Sequence, residues 1–268
     1  MTDNSDDKNF PPGKRQYTLD FAYHGGIYRD VWMIGKSSVA ITDALEADKV
    51  AGGGVFVHFD NISGKKAEVY VDTEVHNSGK RTRTVAVETV LADAGDVPVK
   101  RVSQQVKLQA GESKTVRQRF AVRNPKLWSP DSPYLYRIQS RVKAGHEVLD
   151  GGVTRVGIRK AEFKGKDGFW LNGKPFGQLV GANRHQDFAY VGNALPNSQQ
   201  WRDAKRLRDA GCTIIRVAHY PQDPAFMDAC DEMGLFVIVA TPGWQYWNKN
   251  PEFAKLVHRN TREMLSLI

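Results

Sequence analysis

Two passages late in this 268-residue chain gather the side chains best suited to chemistry: "LVGANRHQD" at 179–187 and "TIIRVAHYPQD" at 213–223. Each is a short apolar run that opens into Arg, His and Asp. A third run, "LFVIVATPGWQYW" at 235–247, has the same shape with aromatics at its tip. A neutral imidazole donates from one nitrogen and accepts at the other, which suits a hydroxyl. A guanidinium holds a carboxylate with two fixed donors and keeps it ionised. An indole offers a flat apolar face. The candidate site residues are therefore Asn183, Arg184, His185, Arg216, His219 and Trp244. Each has a plainer alternative: a structural imidazole satisfied by backbone, a rim salt bridge for Arg216, a loop brace for Arg184, a packed rim aromatic for Trp244. Two histidines at successive strand ends favour a shared site over two structural residues. Trp247 reads as structural.

The elements that must position these groups follow a β-α-β-α-β pattern. In parallel α/β proteins the strand ends share one face, and ligands bind there. His185, Arg216, His219 and Trp244 are thus expected along one wall of a pocket. A helix over 198–210 starts at Asn197, with Gln200 three residues later as a capping box, and Gly211 stops it. Trp201, Ala204 and Leu207 mark its apolar face. The next helix has Asp223 as N-cap, Pro224 at its first position and Gly234 as its stop, with Phe226, Cys230 and Met233 inward. A third begins at Pro251. A (β/α)₈ barrel needs eight such units and this chain has three. Open edges of that kind call either for association, including homo-oligomers, or for a longer protein; the longer protein is the expectation.

Upstream, from 37 to 159, the period is two. Val69, Val71, Thr73 and Val75 alternate with polar residues, as do Val85, Val87 and Thr89, then Val116, Gln118 and Phe120, then Tyr134, Tyr136, Ile138 and Ser140. Glycine-containing turns at 77–80, 93–96, 109–113 and 143–146 separate the runs. Short strands so punctuated predict an immunoglobulin-like β-sandwich, here without an inter-sheet disulfide. Trp128, in a loop rich in Pro and aromatics, is expected to seal its end. Residues 163–177 read as a hairpin turning at Asn172-Gly173. Residues 25–34, "GGIYRDVWMI", read as one strand, and residues 1–20 as a polar arm.

The net charge of +8 comes from Lys and Arg scattered among Asp and Glu rather than gathered on a stripe, which argues against a nucleic-acid partner. Cys212 and Cys230 belong to no Cys/His cluster, so free thiols are expected and no metal site. The acidic, polar start is no signal peptide, and no apolar run has the length of a membrane span. The composition is that of a soluble globular chain, and its location is not legible.

These residues resemble family-2 glycoside hydrolases, the family of β-galactosidases, β-glucuronidases and β-mannosidases. "GGIYRDVWM" is similar to the last strand of that family's N-terminal sugar-binding jelly roll. "LWSPDSPYLY" and "TRVGIRKAEF" are similar to late strands of its immunoglobulin-like domain, "FWLNGKPFGQLVGANRHQD" to its barrel entry, and "RVAHYP" and "CDEMGLFVIVATPGW" to its second and third barrel strands. The resemblance implies a jelly-roll remnant at 1–36, the sandwich at 37–159 and the first three βα units of a TIM (β/α)₈ barrel at 160–268. It implies part of a retaining hydrolase of terminal β-galactosides, since "NRHQD" lies closer to the galactosidase pattern than to the glucuronidase variants. His185, His219, Asn183, Arg184 and Trp244 would bind sugar, Arg216 would position the nucleophilic glutamate, and Asp3 would reach a sugar hydroxyl. Both catalytic glutamates of the family, the acid/base and the nucleophile, belong to the fourth and seventh barrel strands. They are expected beyond Ile268, so this chain alone is expected to be inactive. No cofactor is expected in this chain, although the resemblance allows Mg²⁺ or Na⁺ in full-length relatives; Ala240 and Thr241 stand where many of them place acidic residues. The alternatives are a non-catalytic β-sandwich that binds carbohydrate or protein, and part of a β-glucuronidase or β-mannosidase.

Overall fold

The computed structural model describes residues 13, 15, 18, 24–241 and 246–267. They form two compact units: residues 34–177 with the end of the last helix, and residues 178–264 with the described residues up to 33.

In the first unit, period-two alternation becomes strands: β1 (Val39–Ile41), β2 (Val55–Asp60), β3 (Lys66–Asn77), β4 (Arg83–Ala92), β5 (Pro98–Leu108), β6 (Ser113–Arg123), β7 (Tyr136–Ala144) and β8 (Glu147–Val156). β6 pairs along one edge of β3. The other edge is shared by β1, opposite residues 75–77, and β2, opposite residues 68–73. The second sheet runs β5-β4-β7-β8, and every pairing in both sheets is antiparallel. Turns fall where the glycine-containing segments predict them. Val69, Val71, Leu91 and Ile138 form one apolar cluster with Phe120; Val75, Val85, Val87 and Val142 form another with Val116. Between the two clusters lies a belt of buried polar residues, Thr73, Thr89, Gln118 and Ser140. They occupy the same alternating positions, so the pleat turns them inward like their apolar neighbours. Gln118 Nε2 donates to the Val87 carbonyl, 3.0 Å away. Trp128, only 1% exposed, packs at the sandwich end, where a Cβ on Gly157 would come within 2.9 Å of its ring.

Strands β9 (Ala161–Phe163), β10 (Phe169–Leu171) and β11 (Lys174–Pro175) form a small antiparallel ribbon. Asn172 (φ 53°) and Gly173 (φ 79°) both lie in the left-handed region, the geometry of a two-residue primed turn. Asn172 Nδ2 donates to the Trp128 carbonyl at 3.0 Å, which ties the ribbon to the sandwich. The compact unit that holds the sandwich therefore runs on through the ribbon to residue 177.

The second unit contains β12 (Gly181–Arg184), α1 (Asn197–Asp209), β13 (Ile214–Val217), α2 (Pro224–Met233), β14 (Phe236–Val239) and α3 (Pro251–Leu267). The three strands are parallel in the order β12-β13-β14. Ile215 and Val217 pack against Ala204, Phe226, Ala229 and Cys230 of the two helices. β12 requires its glycine: a Cβ on Gly181 would sit 1.6 Å from the Ile214 carbonyl oxygen. α2 starts and stops as its sequence predicts, with Asp223 Oδ1 accepting from the Ala225 amide at 2.9 Å and Gly234 left-handed at φ 74°. No helix among the described residues is long and apolar enough to cross a membrane.

Two local expectations fail. Residues 25–34 form no strand, and Ile27, Val31, Trp32 and Met33 are 75–100% exposed. A strand exists only where a neighbour completes its hydrogen bonds, and no described strand runs beside this stretch. The capping box of α1 does not form either. Pro196 holds the N-cap position without a side-chain hydrogen bond, and Gln200 is fully buried with its carboxamide engaged elsewhere.

Candidate active site

The register of the parallel sheet decides which residues of "NRHQD" and "RVAHYPQD" share a face. Asn183, Arg216 and Ile238 are register partners across β12, β13 and β14. Neighbours in register on parallel strands project to the same side, and successive residues project to opposite sides. Ile215 and Val217 face the helices, so Arg216 and Asn183 face away from them. Asn183 is exposed and Arg216 half-buried.

Arg184, one residue on, therefore turns to the helix side. It is 5% exposed and lies over the Phe226 ring at 4.0 Å. Its Nη1 donates to Gln222 Oε1 at 2.6 Å, and its Nη2 donates to Gln200 Oε1 and to Asp203 Oδ2, both at 2.7 Å. This corrects the expectation that Arg184 binds sugar: both its terminal nitrogens are engaged in bracing β12 against α1 and the segment leading into α2.

His185 and His219 follow β12 and β13 by one and two residues, and the Ala218–His219 peptide is cis. Their rings meet edge to face, centroids 5.1 Å apart and planes at 83°. Arg216 Nη1 lies 3.2 Å from His219 Nδ1. A guanidinium has donors only, so Nδ1 must accept, which assigns the imidazole proton to Nε2. His219, only 4% exposed, is thus braced by a cation through Nδ1. Two imidazoles and a guanidinium converge at adjacent strand ends, a set able to hold hydroxyls and an ionised carboxylate.

Sequence reasoning missed the residues that bind these strand ends together. Gln186 and Gln222 are both buried. Gln186 Oε1 accepts from the Asp223 amide at 3.0 Å, and Gln222 Nε2 donates back to the Arg184 carbonyl. The available signal was the parallel between "HQD" and "PQD" in the two passages. Asp223 is committed to capping α2, and Asp187 is exposed. Burial, then the nearby Asp187 carboxylate, pushes the Tyr220 phenol upward. Burial pushes the Cys230 thiol up to about 12, which makes it an inert core residue. Trp247 is 66% exposed, with its ring edge against Phe253 at 6.0 Å. Asp3, Trp244 and the terminal Ile268 lie outside the described residues. The glutamates expected beyond Ile268 have no counterpart among the strand ends described here: β12, β13 and β14 carry no glutamate from Gly181 to Asp187, from Ile214 to Asp223 or from Phe236 to Thr241.

Among the described residues no three His, Cys, Asp or Glu side chains converge to hold a metal ion. Ala240 and Thr241 after β14 bring no carboxylate to that strand end.

Comparison with known proteins bears on this geometry. Residues 54–159 match the model for glycosyl hydrolases family 2, and residues 162–264 match the model for that family's TIM barrel domain. The chain is 33% identical to a β-galactosidase of Thermoanaerobacter pseudethanolicus over 99% of its own length and 33% of that protein. It is 33% identical to a putative β-glucuronidase of Formosa agariphila, over 99% of this chain and 29% of that protein. Among solved structures, a Bacteroides uniformis β-glucuronidase superposes with a TM-score of 0.85 at 29% identity, covering 93% of this chain and 30% of that one. The chain thus spans about a third of the length of the curated relatives it matches. The immunoglobulin-like sandwich and the opening βα units of a TIM barrel lie in the order of those two models, and the chain belongs to glycosyl hydrolase family 2.

Proposed function

We propose that this chain supplies the sugar-holding wall of a retaining β-glycosidase that acts on terminal β-galactosides. The convergence of His185, His219 and Arg216 at adjacent strand ends carries the reading. Nε2–H of His219 donates to a sugar hydroxyl oxygen, and His185 takes a neighbouring hydroxyl. Arg216, on the same sheet face as exposed Asn183, holds a nucleophilic carboxylate ionised. Retaining hydrolysis needs two carboxylates about 5 Å apart, one as acid/base and one as nucleophile. Asp223 is spent on its helix, and Asp187 has no partner carboxylate in the strand-end motifs, so this chain by itself holds sugar without cleaving it. The resemblance of "NRHQD" to the β-galactosidase pattern favours the galactoside; the identities, 33% and 32% to two β-galactosidases and 33% to a putative β-glucuronidase, are equal between the two sugars. A β-glucuronide is the second reading, favoured by the superposition on the Bacteroides uniformis enzyme.

Adding galactose to the 268-residue chain should shift the imidazole NMR signals of His185 and His219, and glucuronate should shift them less. Shifts confined to His58 and His76 would move binding to the sandwich and support a carbohydrate-binding module instead. A chromogenic β-galactoside should not turn over, and turnover abolished by Asp187→Ala would refute the inactivity.

A further inference from the structure

We infer that Arg29 is a positioning residue: it clamps the two strand-end loops so that His185 and His219 meet edge to face. The inference rests on the sugar-holding reading of that pair. Arg29 lies in the stretch that precedes the sandwich in sequence, yet its guanidinium reaches the other end of the chain. Its Nη2 donates to the Pro221 carbonyl at 2.8 Å and lies 3.4 Å from Gln186 Oε1. Pro221 is two residues past His219, and Gln186 is one past His185. A single cation thus touches both loops within two residues of both imidazoles.

Neighbouring contacts hold the same stretch in place. Asp30 Oδ2 accepts from Asn197 Nδ2 at the start of α1, 3.1 Å away. Gly192, at φ +56°, lets the His24 ring lie where a Cβ would come within 2.7 Å of it. The surrounding residues from 27 to 33 are largely exposed, so little apolar packing fixes the stretch and the polar contacts must do so. Gln186 Oε1 serves two donors, Arg29 and the Asp223 amide. Removing Arg29 leaves the Gln186 carboxamide with one anchor and the Pro221 carbonyl without its cation. The loop carrying His185 then turns more freely against the loop carrying His219.

NMR of the 268-residue chain tests this without sugar, through the cross-relaxation peak between the two imidazoles and the exchange rate of the Asp223 amide. Arg29→Ala should weaken the peak several-fold and speed Asp223 exchange about tenfold, the equivalent of one hydrogen bond, with amide shifts of β3 through β7 unchanged. Both contacts are made by one nitrogen, so Arg29→Lys, whose ammonium has three donors, should restore most of the peak. Wild-type values of both readouts in Arg29→Ala overturn the inference. If that variant loses the fold of the βα unit, wild-type values in Arg29→Met, which keeps the side-chain bulk without the cation, overturn it instead. Galactose leaving both imidazoles of the unaltered chain undisturbed would sink the sugar reading alone, because the clamp is read in its absence.

Discussion

In the sandwich, Val69, Val71, Leu91 and Ile138 are fully buried among apolar neighbours, while the ion pairs of Glu68 and Asp72 lie on the outer side of the β2-β3-β6 sheet. In the βα unit, Arg184, Gln186, Gln200 and Gln222 are about as deeply buried as Ile215. One region closes on apolar volume and turns its buried carboxylates, Glu68, Glu74 and Glu88, to the opposite face of the strands; the other closes its strand ends on a polar lattice around a buried cation. A buried charge tolerates few arrangements, because each unmatched donor or acceptor costs free energy. That lattice suits a site that must hold two imidazoles and a guanidinium in fixed relation. Neither region satisfies every polar group: the sandwich belt of Thr73, Thr89, Gln118 and Ser140 leaves an oxygen without a hydrogen bond on each of the four, and the lattice leaves Arg184 Nε, Gln186 Nε2 and Gln200 Nε2 so, but Arg184 has three acceptors within 2.7 Å.

The sharpest way to break this contrast is Arg184→Ala. It strips Asp203, Gln200 and Gln222 of their shared donor and should destabilise the βα unit by about 3–5 kcal/mol. Hydrogen exchange should show protection lost across β12–β14 and kept across β3–β7; uniform loss would mean that the two regions do not differ as described. Leu91→Ala makes the opposite cut, removing buried volume from the sandwich at about 2–4 kcal/mol, with protection lost from β3–β7 instead. Thr73→Val, and separately Thr89→Val, replaces an oxygen without a hydrogen bond by a methyl group of similar shape. Either should leave stability unchanged or raise it by up to about 1 kcal/mol, read as the midpoint of chemical denaturation; a clear drop would show that the belt is a working network. The smallest effect concerns charge outside the sandwich. Lys66, then Asn61 and Arg119, hold the Glu68 carboxyl at about 2, below its usual 4.5. A folded-state value below the unfolded one contributes stability above about pH 4.5 that is lost as pH falls toward 2. Glu68→Gln should flatten that part of the acid-unfolding profile and slightly lower stability at pH 7, where the charged carboxyl makes its contribution.

What was legible in the sequence is uneven for a reason. Asp223-Pro224 and Gly234 delimit α2 because cap and stop are local events, settled within a turn of backbone. Asn172-Gly173 sets its turn in the same way. The capping box at Asn197 and Gln200 is equally local in form, yet it gave way to a buried guanidinium sixteen residues upstream. The strand expected over 25–34 failed for a similar reason, since its pattern is correct but its pairing partner is a matter of other segments. His185, Arg216 and His219 were found because Arg and His at two strand ends declare a shared face. Gln186 and Gln222 were not, because a glutamine in a loop looks like any solvated residue until something distant claims it.

The sequence by itself determined the period of β3, β4, β6 and β7, the caps of α2, and the strand ends where Arg and His gather, because alternation, capping and turn preference act over a few neighbouring residues. Only the tertiary structure decided that Asn183 faces away from the helices while Arg184 faces them. It also brought Arg29 to residues 157 and 192 positions away. Strand register and buried charge pairing couple residues far apart in the chain, and no local pattern encodes which distant acceptor a cation will find.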